Sequence, residues 1–512
     1  MNASRAANRV EVTLGGKGVT SRAGLVVVAE LADRLGLTKA MSAAMSPIVK
    51  RRRRRDPGVA LAHVALLLAD GGDCLSDLAV LRDKPDLFGV VASDSTALRA
   101  LESGWAAEAI IDARRVARDA AWAAGAAPET VTLELDATLL DAHSDKEDAA
   151  PTYKGGYGFH PLCCFLDETN EALAGTLRSG NAGANNAEDH VEVLDAAISQ
   201  LPGEWRAGHV EGEDPDAVVH PILVRADSAG ATHRFVDALV ERNCEFSIGF
   251  QIDRNVRAAL LLAQEEDWVP AIERDGTVRD GAFVTELTEY LDLSGWGQGI
   301  RSFSRRERPH PGAQLSLFDI QEGMRHQCFI TNSEGDAADL ELRHRGHARV
   351  EDRIRDGKSM GMRNLPFRDV VPNNAWFQLV LCAMDLIAWT KALCLDGELA
   401  IAEPKRLRYA FLHWPDASCT QPGASRFASR KAGPGKTSSS WRSRRCAPSS
   451  CAEPALASPH SVTQWSTTPE HALQRHHGSS RRSLLPRTHS LGELTWSENA
   501  QSALCPISSR YW

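Results

Sequence analysis

Two aspartates stand where strand-like runs of apolar residues end. Asp136 follows the run at 131–135, and Asp227 follows the run at 222–226; small residues come after both acids. If the two strands are neighbours, the carboxylates lie side by side, and both stay ionised only when a cation lies between them. Mg²⁺ prefers such oxygen ligands, together with water and substrate phosphate. The pattern therefore predicts a divalent metal site at a strand edge.

A third acid, Glu351, lies on a helix predicted around residues 345–361. The polar residues of one helical face are spaced three, four, four and three apart: His344, His347, Glu351, Arg355 and Lys358. That face is basic at both ends and acidic in the middle. A solvated helix would show the same charges. What favours Glu351 as a third metal ligand is the order along the chain, in which two acids at strand ends are followed by one acid on a helix.

Two other metal sites are weighed against this one. His344, His347 and Glu351 could ligate zinc, which accepts His and Glu. However, the chain contains no HExxH, and a zinc site would leave Asp136 and Asp227 without a role. The cluster of polar residues at 141–145 is interpreted as a loop.

These residues give the chain a family resemblance. It resembles a bacterial insertion-sequence transposase of the DDE class, and more closely the group-1 DDE transposases with a Tyr-x2-Arg-x3-Glu-x6-Lys signature. Glu351 and Lys358 match the second half, while His344 and His347 replace the expected tyrosine and arginine. The resemblance spans about residues 10–412, and the segments that carry it are GGDCLSDLAVLR, SDST, LELDAT, YGFHPL, LRSGNAGA and RADSAG.

The resemblance implies a fold and a mechanism. The fold is α/β, a ribonuclease-H-like mixed sheet flanked by helices. Asp136, Asp227 and Glu351 would hold two Mg²⁺ ions, with Mn²⁺ as a substitute, for in-line displacement at phosphorus. The protein would nick double-stranded DNA at the terminal inverted repeats of an element and join the freed 3′-hydroxyl to target DNA. Such enzymes generally pair two ends as a homodimer.

Basic side chains are the candidate DNA contacts, because they provide affinity without reading sequence. Lys358 would neutralise a phosphate oxygen, and basic residues of a later insertion would grip DNA near the cleavage point. The residues assigned to DNA binding are His344, His347, Arg355, Lys358, Arg305 and Arg306, with Arg301 and Arg308 nearby. Reading of sequence is assigned to the N-terminal helices.

The elements that must position these residues follow from periodicity. Residues 1–125 predict a helical DNA-binding region, with the basic run at 50–55 in a loop. Residues 126–412 predict the catalytic domain, in which three meandering strands precede alternating helices and strands. A β-rich insertion is expected at about 255–332, and a long apolar core helix at 373–395. The predicted strands are 131–137, 157–167, 171–180, 221–227 and 244–250, and the helices between them are 186–201 and 231–243.

Composition restricts the class of protein. A hydrophobic fraction of 43% and a charged fraction of 24% are typical of soluble globular chains. No uncharged apolar stretch is long enough to predict a membrane span, and the N-terminus lacks the apolar core of a signal peptide. The 11 scattered cysteines form no CxxC, which indicates reduced thiols in the cytoplasm, with nucleoid association when DNA is bound. The net charge of −9 argues weakly against a nucleic-acid partner, but it averages over local basic patches.

Residues 413–512 lose all periodicity and are crowded with Ser, Pro, Arg, Cys and Trp. This composition predicts a tail of low structural order. A frame-shifted C-terminus would have such a composition. Two alternatives to an active transposase therefore stay open. One is a decayed transposase that binds DNA without transposing, and the other is a stand-alone ribonuclease-H-like nuclease. No GxxxxGK[ST] occurs, which argues against ATP hydrolysis.

Overall fold

A computed structural model describes residues 11–14, 19–48, 55–313, 315–414, 416–421 and 424–429. Side chains are described for 21–48, 55–313 and 315–414. The chain divides into two units, Met1–Ala447 and Pro448–Trp512, and all described residues belong to the first. Most of the basic run at 50–55 and most of the predicted tail lie outside the described residues.

The strands are numbered in chain order. They are β1 (Glu11–Leu14), β2 (Val19–Thr20), β3 (Val131–Ala137), β4 (Leu140–Asp141), β5 (Ala150–Pro151), β6 (Tyr157–Phe159), β7 (Leu162–Leu166), β8 (Ala172–Thr176), β9 (Ile222–Ala226), β10 (Glu245–Phe250), β11 (Val269–Ile272), β12 (Val278–Glu286), β13 (Arg301–Glu307), β14 (Arg325–Thr331), β15 (Asp416–Gln421) and β16 (Ala424–Ser429).

The helices are numbered in the same way. They are α1 (Ala23–Arg34), α2 (Leu37–Ala44), α3 (Pro57–Asp70), α4 (Ala79–Arg82), α5 (Pro85–Phe88), α6 (Asp94–Leu101), α7 (Ala106–Ala121), α8 (Ala187–Gln200), α9 (Gly203–Arg206), α10 (His233–Glu241), α11 (Arg254–Leu262), α12 (Leu317–Glu322), α13 (Ala337–Arg345), α14 (Val350–Gly357), α15 (Val370–Cys394) and α16 (Pro404–Leu407).

One mixed sheet contains the strands that end at the predicted acids. Its order is β11-β12-β13-β14-β10-β9-β3-β7-β8. β3, β7 and β8 form an antiparallel meander, and β9 and β10 then run parallel to β3. Helices α8 and α10 pack on this sheet. The predicted mixed sheet flanked by helices, with a meander before the alternating elements, is confirmed.

The predicted strand over 157–167 is two strands in two sheets. β6 ends at Phe159 and joins β4 and β5 in a small three-stranded sheet, whereas β7 begins at Leu162 in the large one. Pro161 lies at the break, where its missing backbone N–H removes a donor to the ladder.

The insertion extends the central sheet. β14 pairs antiparallel with β10, and β13, β12 and β11 continue the sheet outward from it. The region is β-rich as predicted, but it also contains α11 and α12. Asp253 starts α11 because its side chain accepts hydrogen bonds from the backbone of Asn255 and Val256.

The N-terminal helices share their core with the large mixed sheet. Helices α3 and α7 pack directly on α15, and one continuous apolar cluster runs from Ala23 to Leu412. By length and composition α15 could cross a membrane, but 78% of its most apolar window is buried inside the protein. Its fully buried Asp385 pairs with Arg114 and Arg118, so α15 is a core helix, as predicted.

Two strands lie within the segment predicted to be a low-order tail. β15 pairs with β16, and these strands also pair with β2 and β1 respectively. The sequence over 416–429 has no strand-like periodicity, and for that reason these two strands were not predicted. Residues after 429 lie outside the described part of the chain.

Candidate active site

The parallel pairing of β3 with β9 brings the first two acids together. Leu135 is the Cα partner of Ala226, so Asp136 and Asp227 are the next residues along the two strands. Asp136 accepts a hydrogen bond from the backbone of Ala137 at 2.7 Å. Asp227 lies just after β9 and caps the 3-10 turn Ser228–Gly230 by accepting the Ala229 N–H at 3.0 Å.

Glu351 lies on a helix that is interrupted just before this residue. α13 ends at Arg345, a 3-10 turn spans Gly346–Arg349, and Glu351 lies in the first turn of α14. A Cβ at Gly346 would clash with the Arg225 guanidinium, whose Nη1 donates to the carbonyl of Arg343. The predicted single helix is therefore interrupted where Arg225 enters, and α14 contacts β3.

The three acids affect one another electrostatically. Burial raises the pKa of Asp136 to about 6, and the negative charges of Asp227 and Glu351 add to the increase. The positive charge of His347 and the Ala137 hydrogen bond act in the opposite direction. A half-buried carboxyl next to two like charges is typical of a cation-binding site, because a bound cation offsets the repulsion between the carboxylates.

The donor set fits a hard divalent cation, because it consists of carboxylate oxygens. Within the described residues, a tighter group with ligand atoms within 4.8 Å of one another is Asp73, Cys74 and Asp77. Asp77 there already accepts the N–H groups of Asp73 and Cys74, which makes that group a turn cap. Among the described residues, the carboxylate oxygens of Asp136, Asp227 and Glu351 do not form such a tight group.

Lys358 lies beside these acids. It begins the π turn Lys358–Met362 after α14, and its Nζ donates to the Thr138 hydroxyl at 2.7 Å. Burial lowers the pKa of Lys358, whereas the nearby charges of Asp141 and Asp136 oppose that decrease. The ammonium group is thus held at the edge of the acidic site.

A buried group of charges lies behind the acids, and we call it the strand-end network: Glu134, Asp167, Arg225, His347 and Arg349. Glu134 and Arg225 are Cα partners two residues before Asp136 and Asp227, so they share the face of the sheet that bears both acids. Arg225 also pairs with Asp167 at 2.5 Å.

The same network holds the segment that leads into Glu351. His347 Nδ1 lies 2.5 Å from Glu134, and Arg349 Nε donates to Asp167 at 2.8 Å. Burial acts to lower the pKa of His347, but the hydrogen bond and charge of Glu134, with the charges of Asp136 and Asp227, raise it overall. His347 is therefore favoured as a cation at the back of the acidic site.

A family model, the transposase DDE domain group 1, matches residues 2–414. The chain belongs to this family. It is a DNA transposase of the DDE type, and its chemistry is phosphodiester cleavage and transesterification. Among solved structures it is similar to a piggyBac transposase in a synaptic complex with hairpin DNA, with 10% identity, a TM-score of 0.37, and coverage of 78% of this chain and 83% of that chain. No curated protein matches the chain.

Three of the predicted DNA contacts of the transposase are paired within the protein, and one of them is His347 of the strand-end network. His344 stacks on Phe329 with ring centroids 4.4 Å apart and hydrogen-bonds Ser247, and burial lowers its pKa to about 3. Arg305 is 7% exposed and pairs with Glu341 at 2.8 Å. His344 is only partly buried, but both side chains already have a partner within the protein. Their assignment to DNA binding stays a prediction.

The remaining predicted contacts differ in accessibility. Arg355 is exposed at the surface of α14, where it pairs with Asp352 at 3.0 Å and Glu403 at 3.2 Å. Arg306 packs over the Trp268 ring at 4.2 Å and pairs with Glu265. Arg355 stays a candidate for phosphate contact, whereas Arg306 would first have to leave an aromatic face.

Sequence reasoning missed Glu134, Asp167, Arg225 and Arg349. A signal was present for two of them, since Glu134 and Arg225 are charged residues inside otherwise apolar strands, each two positions before an acid. Charged residues are almost never fully buried unless they are paired. The cluster predicted as a polar loop at 141–145 is confirmed in part, because His143 and Asp145 pair in the open, with side chains 78% and 65% exposed.

Proposed function

We propose that Asp136, Asp227 and Glu351 bind two Mg²⁺ ions, replaceable by Mn²⁺, in the cleavage and joining of DNA. The observation that supports this most is the raised pKa of half-buried Asp136 between the charges of Asp227 and Glu351. Bound divalent ions would activate the attacking hydroxyl and stabilise the leaving oxygen of an in-line displacement.

The protein's own groups have distinct roles in this proposal. Asp136, whose pKa responds to the charges of Asp227 and Glu351, would hold the ions together with these two acids. Lys358 offers its ammonium to a non-bridging phosphate oxygen of the DNA strand. His347 and Arg349 hold the Glu351 segment against the strands through Glu134 and Asp167.

The proposed DNA partners are the terminal inverted repeats of the element and a double-stranded target. Exposed Arg355 and the exposed Arg308 of the insertion are the candidates for phosphate contact. A homodimer that pairs two ends, and a cytoplasmic, nucleoid-associated location, complete the proposal. These last two expectations rest on the family resemblance alone.

A nicking assay tests the proposal. The substrate is a duplex that carries the end of the element encoding the chain, incubated with Mg²⁺ or Mn²⁺. We expect wild-type protein to nick at the element boundary, and Asp136→Asn, Asp227→Asn and Glu351→Gln each to abolish nicking. Asp237→Asn, which changes an exposed acid on α10, is the matched control and should keep full activity.

The same assay separates the alternatives. Specific binding of the element end without metal-dependent cleavage would indicate a decayed, DNA-binding transposase. Cleavage at random positions without strand joining would indicate a stand-alone nuclease. Nicking that persists in all three acid variants would contradict the assignment of the active site.

A further inference from the structure

The loop between β5 and β6 presents an aromatic ring and a cation to solvent. Tyr153 is 73% exposed, and Lys154 next to it places Nζ 5.7 Å from the centre of the Tyr153 ring. The loop is a tight turn, because Thr152 N donates to the Gly156 carbonyl at 2.9 Å and Gly155 N donates to the Thr152 carbonyl at 3.0 Å. Gly155 has a φ of 81°, which lets the turn form without strain.

This turn lies close to His160 and acts electrostatically on Lys358. The Tyr153 ring lies 6.0 Å from the ring of His160, whose pKa responds to the charge of Asp227. On the other side, the charge of Lys154 acts on Lys358, which is also under the influence of Asp136. The turn thus lies near two residues, His160 and Lys358, that interact electrostatically with the strand-end aspartates.

Packing contacts confirm the position of the turn. A Cβ built on Gly156 would lie 3.5 Å from the Asp141 carboxylate, and Asp141 belongs to β4, which follows β3 directly. β4 pairs with β6, and β5 pairs with the other edge of β6. The small sheet therefore fixes the Tyr153 turn to the strand that carries Asp136.

Core packing does not account for the two side chains, since both point into solvent. A cation beside a flat aromatic ring, at the rim of a site that acts on DNA phosphates, matches the pattern by which proteins hold single-stranded nucleic acid. Aromatic rings stack on any base, while lysine contacts the backbone. The chemistry of the turn is thus suited to an unpaired base and its adjoining phosphate.

We propose that Tyr153 stacks on an unpaired base at the cleaved DNA end and that Lys154 contacts the adjoining phosphate. This inference rests on the proposed function, because it assumes that the three acids act on DNA. The contact would not depend on base identity, since every base has a face that can stack. It would hold the strand end beside Asp136 and Asp227 once the terminal base pairs have opened.

Binding of two element-end duplexes tests the inference, in the absence of divalent metal so that neither is cut. One duplex is fully paired, and the other has unpaired bases at the cleavage position. Tyr153→Ala should lose about tenfold in affinity for the unpaired probe and much less for the paired one. Tyr153→Phe keeps the ring and should bind as wild type. Lys154→Ala should reduce the salt slope of binding by about one.

Controls make each outcome decisive. Tyr409→Ala removes another strongly exposed tyrosine, 84% exposed, and should leave both affinities unchanged. Melting temperatures should match wild type for every variant, because the side chains are on the surface. Wild-type nicking with unchanged binding by Tyr153→Ala would overturn the inference alone, as would equal losses in Tyr153→Phe and Tyr153→Ala. A wild type that does not nick would overturn the proposed function, and the inference with it.

Discussion

Two buried charge networks join helices to the sheet, and they differ in how their charges balance. One, which we call the scaffold network, consists of Arg114, Arg118, Glu171 and Asp385, with side chains 0–1% exposed. Its two cations match its two anions, and Asp385 also accepts the Ala172 N–H at 2.9 Å. The scaffold network is closed, neutral and enclosed by α7, α15 and β8.

The strand-end network has the same chemistry but a different balance. Its cations Arg225 and Arg349 face the anions Glu134 and Asp167, and His347, whose pKa is raised, adds to the positive side. The charge of His347 opposes the increase in the pKa of Asp136. We infer that the scaffold network serves stability, whereas the strand-end network also positions and stabilises the acidic site.

Removal of Asp385 should give the largest loss of stability. Asp385→Asn leaves Arg114 and Arg118 buried with one anion between them, and breaking a buried pair costs about 3–5 kcal/mol. Urea unfolding at equilibrium measures the loss, with exposed Asp237→Asn as the control. The nicking rate of the folded fraction should stay at the wild-type level. A nicking defect in fully folded Asp385→Asn would remove the distinction between the two networks.

Glu134→Gln should affect both stability and catalysis. The amide leaves His347 without its carboxylate partner and leaves Arg225 paired with Asp167 alone, at a cost of about 1–3 kcal/mol. Loss of groups that orient metal ligands typically reduces activity or metal affinity 10–100-fold, and we expect a decrease of about that size in nicking. Mn²⁺ affinity, measured by calorimetry, should decrease in parallel. A stable variant with unchanged Mn²⁺ affinity would show that Glu134 is only structural.

Substitution of His347 should have the smallest effect of the three, and two variants at this position can be compared directly. His347→Gln should reduce nicking about tenfold with little change in stability, because the cation paired with Glu134 is lost. His347→Arg keeps a positive charge opposite Glu134 and should retain most activity. Equal defects in the two variants would contradict a positioning role that depends on positive charge.

The sequence predicted the strand-end acids because each follows a continuous apolar run, a local signal. It did not predict the Glu134–Arg225 pair, since two charged residues inside buried strands can be matched only when the register of β3 with β9 is known. The helix break at Gly346 was missed for a related reason, because a glycine in a helical pattern reveals nothing about the Arg225 guanidinium that fills the space.

The pairing of strands within the sheet was the other feature that the sequence did not predict. The strands of the insertion are visible in the sequence, but their pairing with β10 through β14 is a non-local contact that no local pattern contains. Likewise, the helical pattern of His344 and Glu351 was interpreted as one polar face, whereas a 3-10 turn lies between them and His344 stacks on Phe329.

The most direct test of the central claim is the stability of wild type and Asp136→Asn as a function of pH, with and without Mg²⁺. Because the folded pKa of Asp136 is raised to about 6, the folded protein holds a proton that the unfolded chain has lost, and wild-type stability decreases as the pH rises from about 4 to about 6.

Above that window and without metal, Asp136→Asn should be more stable than wild type by on the order of 1–3 kcal/mol, because it removes a charge that repels Asp227 and Glu351. Mg²⁺ should stabilise wild type and have little effect on the variant. A variant that is less stable than wild type at every pH, and equally stabilised by Mg²⁺, would contradict a metal site at these acids.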